Sequence, residues 1–311
     1  MRIGVIGSGN FSDKVYASLR DNTNVSLVGG YDTPEYAGFT QYAVLEDLLI
    51  AVDCILIFDI MSSDFGTLSS VVKYGKHLYI ESPSLCGIRE LKNLELLAYE
   101  AGTQIQIGLK QRFYNFYDDL SKYNITPRIL ESSRFVKFNK KTTQLSVIDD
   151  LMLHDVDVAL RLCNAQVKSI YSTAVGVYYK DPDVVHTRIE FYNGSVANLA
   201  ASKISNKDVH TTKFFQNNNY CSIDYIGQQL KVQTNSVKSE DSSEEWGVRT
   251  TYRQTKDSDG YIAMLEKEIN SFYNCIINSE VPCAGISEYL QLQSVTDKIK
   301  EQLERNFTTN A

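Results

Sequence analysis

Residues 2–32 read RIGVIGSGNFSDKVYASLRDNTNVSLVGGYD, and the N-terminal architecture follows from their order. Arg2 to Ile6 is an apolar run of strand length, and Gly7 and Gly9 follow at once. Phe11, Val15 and Leu19 recur at helical spacing, Val25 to Val28 form a second apolar run, and Asp32 lies just past it. Strand, glycine turn, helix, strand and acidic residue is the order a dinucleotide-binding βαβ unit requires. Gly7 permits the tight turn, and Gly9, lacking Cβ, lets the backbone approach a pyrophosphate. Asn10 and Phe11 lie at the start of the helix, whose free N–H groups and partial positive charge suit an anion. A carboxylate at Asp32 could accept hydrogen bonds from the adenosine ribose. Its charge favours NAD, because it would repel a 2′-phosphate, although NADP remains open. The third glycine of the fingerprint is replaced by Ser12.

The alternation continues. Asp53 to Phe58, His77 to Ile80 and Thr103 to Ile107 read as strands, separated by helical patterns over Phe65 to Val72 and Ile88 to Ala98. Such spacing implies a parallel sheet covered on both faces. Beyond about residue 112 β-rich segments take over: Ile129 to Phe138, Ser169 to Tyr179, Val184 to Phe191, Ser195 to Ser202, Thr212 to Phe215 and Cys221 to Asp224. Asn193-Gly194 between two of them is a hairpin signal. Helices are expected at Asp150 to Leu162, Tyr261 to Ile277 and Ser287 to Leu303, and the polar stretch Gln233 to Gly260 reads as sheet edge and loop.

The 311 residues suit two domains, and 43% hydrophobic with 22% charged residues is ordinary for a soluble enzyme. A net charge of −7 argues against nucleic acid and anionic membranes as partners. No apolar stretch approaches transmembrane length, and Met1 runs almost directly into a strand, which leaves no room for a signal peptide. A cytoplasmic protein is expected. Cys54, Cys86, Cys163, Cys221, Cys275 and Cys283 form no C-x-x-C pair and read as reduced, mostly buried thiols.

Four further segments fall in one order: Glu81-Ser82-Pro83, KQRF at 110–113, DDLMLHDVD at 149–157 and FYNGSVANLAAS at 191–202. They resemble the E-K-P, G-x-x-R-R-F, D-x-x-x-H-x-x-D and F-x-N-G-x-x-A segments of the glucose–fructose oxidoreductase/inositol dehydrogenase/MocA family, and the resemblance spans nearly the whole chain. It implies an α/β protein with a Rossmann domain over 1–114. An α/β substrate domain over 115–311 would follow, with a large, mostly antiparallel open sheet. It further implies hydride transfer between a nicotinamide and a carbinol of a sugar, cyclitol or nucleotide-sugar, and a homo-oligomer formed through the open sheet. Glu81 joins the cofactor-binding candidates on the same ground.

Two departures stand out. Ser82 replaces the family lysine, and Asp59 and Asp64 stand where the family carries A-T-P…H. A serine offers one neutral hydroxyl where a lysine offers charge. Lys110, just past the strand ending at Ile107, is the candidate substitute cation, and Arg112 a candidate for substrate binding or an interdomain anchor. Asp150, His154, Asp157 and Arg161 fall at helical spacing on one face. The resemblance makes His154 the general base, oriented by Asp150; imidazole titrates near neutrality and suits that task. From the residues alone, the stripe also reads as two surface ion pairs, Asp150–His154 and Asp157–Arg161. No third or fourth ligand accompanies D-x-x-x-H, so no metal is expected. A catalytically silent NAD-binding sensor or regulatory protein on the same fold is the alternative, motivated by Ser82 and Asp59.

Overall fold

The computed structural model describes residues 1–9, 11–59, 62–81, 86–120, 125–138, 146–178, 181–217, 219–236, 247–254 and 260–308. Its first sheet has six parallel strands: β1 (Arg2–Ile6), β2 (Ser26–Tyr31), β3 (Thr40–Gln41), β4 (Cys54–Ile57), β5 (His77–Ile80) and β6 (Ile105–Ile107). Their order is β3-β2-β1-β4-β5-β6, which reverses between β1 and β4. Helices α1 (Asp13–Asp21), α2 (Leu45–Ala51), α3 (Phe65–Lys73) and α4 (Ile88–Ala101) connect them. The expected two-sided cover is present: all four residues of β4 are buried. Phe11, Val15 and Leu19, the apolar positions read from the sequence, are buried. Helix α4 stops at Gly102, whose φ of 65° is a left-handed cap that suits glycine. The sequence reading did not isolate β3 and α2, which span two and seven residues.

The second sheet has eight strands: β7 (Ile129–Lys137), β8 (Val167–Val175), β9 (Val184–Phe191), β10 (Val196–Ser205), β11 (Val209–Gln216), β12 (Asn219–Asp224), β13 (Gln229–Ser236) and β14 (Gly247–Gln254). The order is β14-β13-β12-β11-β7-β10-β9-β8, antiparallel throughout except for the parallel pair β7 and β10. The stretch read as sheet edge and loop thus supplies the end of β13 and all of β14. Its strands are polar, so no apolar alternation marked them. The β9–β10 hairpin turns at Asn193-Gly194, where Gly194 takes φ 82° and the Asn193 carboxamide accepts from the Ser195 N–H at 3.0 Å.

Period-two alternation sorts the two faces of this sheet. Leu130, Val185, Ile189, Leu199 and Phe214 are buried on one. The other carries a row set by register, Tyr171, Arg188, Asn198, Glu131 and Lys213, and holds an open trough of about 440 Å³. Short helix α5 (Asn115–Leu120) precedes β7. Helix α6 (Leu153–Cys163) grows directly out of a π-helical turn over Ile148–Met152.

The last two helices are α7 (Gly260–Asn278) and α8 (Ile286–Thr308). The chain divides into two compact units, Met1–Tyr114 with Asp257–Gln291, and Asn115–Lys256 with Leu292–Ala311. A split into 1–114 and 115–311 therefore misses a return: Leu265, Ile269 and Phe272 of α7 share one core with Ile3, Val5, Leu56 and Phe58. In the second unit, Gln302 of α8 caps the edge strand β8. Its carbonyl accepts from the Ser172 N–H at 3.0 Å, and its amide donates to the Ile170 carbonyl. Blocking an edge in this way guards against strand pairing with other chains.

Candidate functional site

In a parallel sheet the residues that follow each strand collect along one edge. Across the first sheet they run Asp32, Gly7, Asp59, Glu81 and Gly108, after β2, β1, β4, β5 and β6. Gly7 is buried with φ 85°, and a Cβ there would lie 2.4 Å from that of Asp59. A Cβ on Gly9 would lie 2.6 Å from the Phe58 carbonyl oxygen. Both glycines are therefore demanded by the close crossing of the β1 turn over the end of β4. Ser8 and Gly9 are exposed. Ser12 is the N-cap of α1, its hydroxyl facing the Val15 N–H at 3.5 Å. An exposed turn leading into a helix N-terminus fits a pyrophosphate.

Asp32 is exposed and left-handed at φ 54°, a conformation aspartate tolerates better than most residues. Its carboxylate makes no hydrogen bond among the described residues, so it suits a ribose diol. Phe11 sits differently from a ligand-facing side chain. Its ring is buried, stacked 5.8 Å from Phe58 and packed on Tyr16, Tyr36 and Phe39. Any part it takes in cofactor binding is played by its backbone. Asp64 caps α3, accepting from the Thr67 N–H at 3.1 Å and the Thr67 hydroxyl at 2.7 Å. The Thr67 hydroxyl, chiefly, holds its carboxyl below the usual range. Asn10 and Ser82 lie outside the described residues.

Lys110 opens a 3-10 turn, Lys110–Phe113, and its ammonium pairs with the Glu81 carboxylate. Arg112 of that turn donates to the Cys283 carbonyl. Beneath the pair lies a residue that sequence reasoning missed, Glu268 of α7, fully buried. It accepts from the Tyr79 hydroxyl at 2.9 Å. Burial pushes its carboxyl up to about 8, against the opposing pull of Tyr79 and Lys110. An acid raised on folding stabilises the native state below its unfolded range and loses that contribution as pH rises through the folded value. The stability of the wild type relative to Glu268→Gln should therefore decline from the ordinary carboxyl range to about pH 8. Urea melts across that window check it; a constant difference would contradict it. Only the regular apolar spacing of α7 was legible, and Glu268 lies within it.

In the second unit, Asp150 belongs to the π-helical turn and His154 to the first turn of α6. The Leu153 N–H bonds back to the Ile148 carbonyl, an i→i+5 link, so regular helical spacing does not extend from Asp150 to His154. Asp150 pairs with Lys203 at 3.0 Å. His154 is half-buried and Asp157 buried, while the Arg161 guanidinium lies 4.6 Å over the Tyr117 ring. The other histidines have separate settings. His77 Nδ1 accepts from the Gln104 N–H at 3.0 Å, His210 stacks on Tyr225 at 3.9 Å, and His186 lies on the open sheet face. Among the described residues no cluster of three His, Cys, Asp or Glu could hold a metal. Nor is any helix of the described residues long and apolar enough to cross a membrane.

No family model matches the chain. UDP-N-acetylglucosamine 3-dehydrogenase of Acidithiobacillus ferrooxidans is 28% identical over 239 residues, 75% of this chain and 76% of that protein. Its relatives and structural neighbours are dehydrogenases of the glucose–fructose oxidoreductase/inositol dehydrogenase/MocA type. A solved structure of the same Acidithiobacillus dehydrogenase superposes with a TM-score of 0.85 at 24% identity, covering 99% of this chain and 98% of that one. Two other members of this fold are a scyllo-inositol dehydrogenase from Lactobacillus casei and an oxidoreductase from Agrobacterium radiobacter. The first gives TM-score 0.77 at 15% identity, covering 98% and 96%. The second, in complex with NAD+, L-tartaric acid and magnesium, gives 0.82 at 12%, covering 98% and 97%.

Proposed function

We propose that this chain is an NAD-dependent oxidoreductase that transfers a hydride between nicotinamide and a carbinol of a sugar or nucleotide-sugar. The observation that carries the reading is the relationship to UDP-N-acetylglucosamine 3-dehydrogenase over three quarters of both chains. NAD, when bound, supplies the hydride acceptor. The Gly7–Gly9 turn and the α1 N-terminus take its pyrophosphate, and Asp32 its adenosine ribose. His154 takes the proton of the substrate hydroxyl, and Lys110 supplies positive charge in place of the lysine absent at 82. Asp150, tied to Lys203, fixes the helix start that carries His154. A homo-oligomer through the open face of the second sheet follows the same reading, and light scattering on the purified protein checks it.

Asp32→Ala should weaken NAD binding by about 1–3 kcal/mol, the worth of charge-assisted hydrogen bonds, and should narrow discrimination against NADP. Calorimetric titration with both cofactors measures it; unchanged NAD affinity would remove Asp32 from the site. For the activity itself, NAD reduction is followed with UDP-N-acetylglucosamine first and then with free sugars and cyclitols. Ser82 and Asp59 favour a second reading, an NAD-binding protein without turnover. Cofactor binding with no carbinol oxidised would select it, and failure to bind NAD or NADP at about millimolar levels would reject both.

A further inference from the structure

The segment between β2 and β3 begins with Asp32 and continues through Thr33, Pro34, Glu35 and Tyr36 to Phe39. Side chains from other elements fasten it at both ends. Gln41 of β3 holds its start. The Gln41 amide donates to the Pro34 carbonyl at 2.7 Å and to the Thr33 hydroxyl at 3.1 Å, and its carboxamide oxygen accepts from that hydroxyl at 3.3 Å. Thr33 lies close over β2, where a Cβ on Gly30 would come within 2.4 Å of the Thr33 hydroxyl oxygen. Pairing fixes β3 in turn: Gln41 stands opposite Gly30, and the Tyr42 N–H donates to the Gly30 carbonyl at 2.9 Å. Farther along, the Tyr36 ring stacks on Tyr16 of α1 at 4.1 Å, and its hydroxyl donates to the Phe11 carbonyl at 3.3 Å. The Tyr16 hydroxyl donates to the Ala37 carbonyl at 3.1 Å. Gln41 is exposed, so its carboxamide serves these bonds and not the packing of the core.

We propose that Gln41 is a positioning residue for Asp32 and, through it, a determinant of cofactor choice. With the two residues after Asp32 tied to one carboxamide, the left-handed backbone at Asp32 (φ 54°) is held, and its Cα–Cβ bond keeps one direction at the sheet edge. A segment already ordered loses less freedom when a ribose diol binds, which favours the ligand that fits it. The same arrangement disfavours a 2′-phosphate. The Thr33 hydroxyl proton is directed to Gln41, Pro34 has no N–H, and the stretch from Asp32 to Gln41 contains Glu35 and no Lys or Arg. A carboxylate whose backbone cannot swing aside also keeps its repulsion of the extra charge. That Asp32 meets an adenosine ribose rests on the function proposed above; the hold of Gln41 on the segment does not.

Calorimetric titration of the full chain with NAD and with NADP tests this across wild type, Gln41→Leu, Asp32→Ala and the double variant. Gln41→Leu should weaken NAD about three- to tenfold, the worth of one neutral hydrogen bond, and leave NADP no weaker. The ratio of the two dissociation constants, NADP over NAD, therefore falls by at least that factor. In the Asp32→Ala background the same substitution should change NAD affinity by less than about twofold, because the carboxylate it positions is gone. Equal weakening of both cofactors, an unchanged ratio, or an undiminished effect in the Asp32→Ala background overturns the proposal. Should Gln41→Leu fold poorly, Thr33→Val removes the hydroxyl end of the same contact and should lower the ratio by about two- to threefold; an unmoved ratio there overturns the proposal as well. A wild type that binds neither cofactor removes the function proposed above and this role with it, whereas binding with an unmoved ratio removes this role alone.

Discussion

His154→Ala is expected to lower turnover by about 10²–10⁴-fold, the usual worth of a positioned general base. KM should change far less, because the imidazole contributes to proton removal in the transition state and not to ground-state binding. His154 lies in the first turn of α6, immediately after the π-helical turn, and is half-buried. Its neighbours along the chain, Met152, Asp155 and Val156, are buried. Thermal melts of the variant should match those of wild type within a degree or two, since a half-buried position creates little cavity. Asp150→Ala is the companion. Loss of its pair with Lys203 should reduce turnover by less than loss of the imidazole. Full activity in His154→Ala would sink the proposed mechanism, whatever the cofactor affinity.

Phe272→Ala should destabilise the first unit by about 3–5 kcal/mol, the range for deleting a fully buried aromatic ring. Phe272 is 1% exposed and packs in the same core as Ile3, Val5, Leu56 and Phe58, more than two hundred residues earlier in the chain. The join is polar too. Asn270 accepts from the Asn22 and Asn24 amides at 3.1 and 2.9 Å, and the Ile107 N–H of edge strand β6 donates to the Ala284 carbonyl at 2.7 Å. A fragment ending at Tyr114 would expose the apolar surface that Leu265, Ile269 and Phe272 cover and would leave β6 unpaired on that side. It should be expressed as an aggregating or unfolded chain. Urea unfolding of Phe272→Ala and circular dichroism of the fragment check both statements; a cooperative, soluble fragment would refute them.

The N-terminal half was legible because its signals are local. A strand followed by a glycine turn and a helix leaves its mark within thirty residues, and β1, β5 and β9 begin and end where the apolar runs do. The places of Gly7, in the turn after β1, and of Asp32, just past β2, were legible for the same reason. The sequence also supplied the motif around His154, whose residues sit close together in the chain. Other features depend on contacts between distant segments, which no window of sequence contains. Nothing near Phe11 tells that its ring enters the core, because Tyr36, Phe39 and Phe58 arrive there only on folding. The stripe at Asp150 looked like regular helix, yet one i→i+5 bond breaks its period. Strand β14 is polar and takes its identity from pairing with β13. Glu268 is one of two glutamates in an amphipathic helix until α7 returns to the first sheet and buries it beside Tyr79. Local propensity and spacing determined the elements and their order; desolvation, set by what packs against each side chain, decided which of the polar residues has its ionisation shifted by burial.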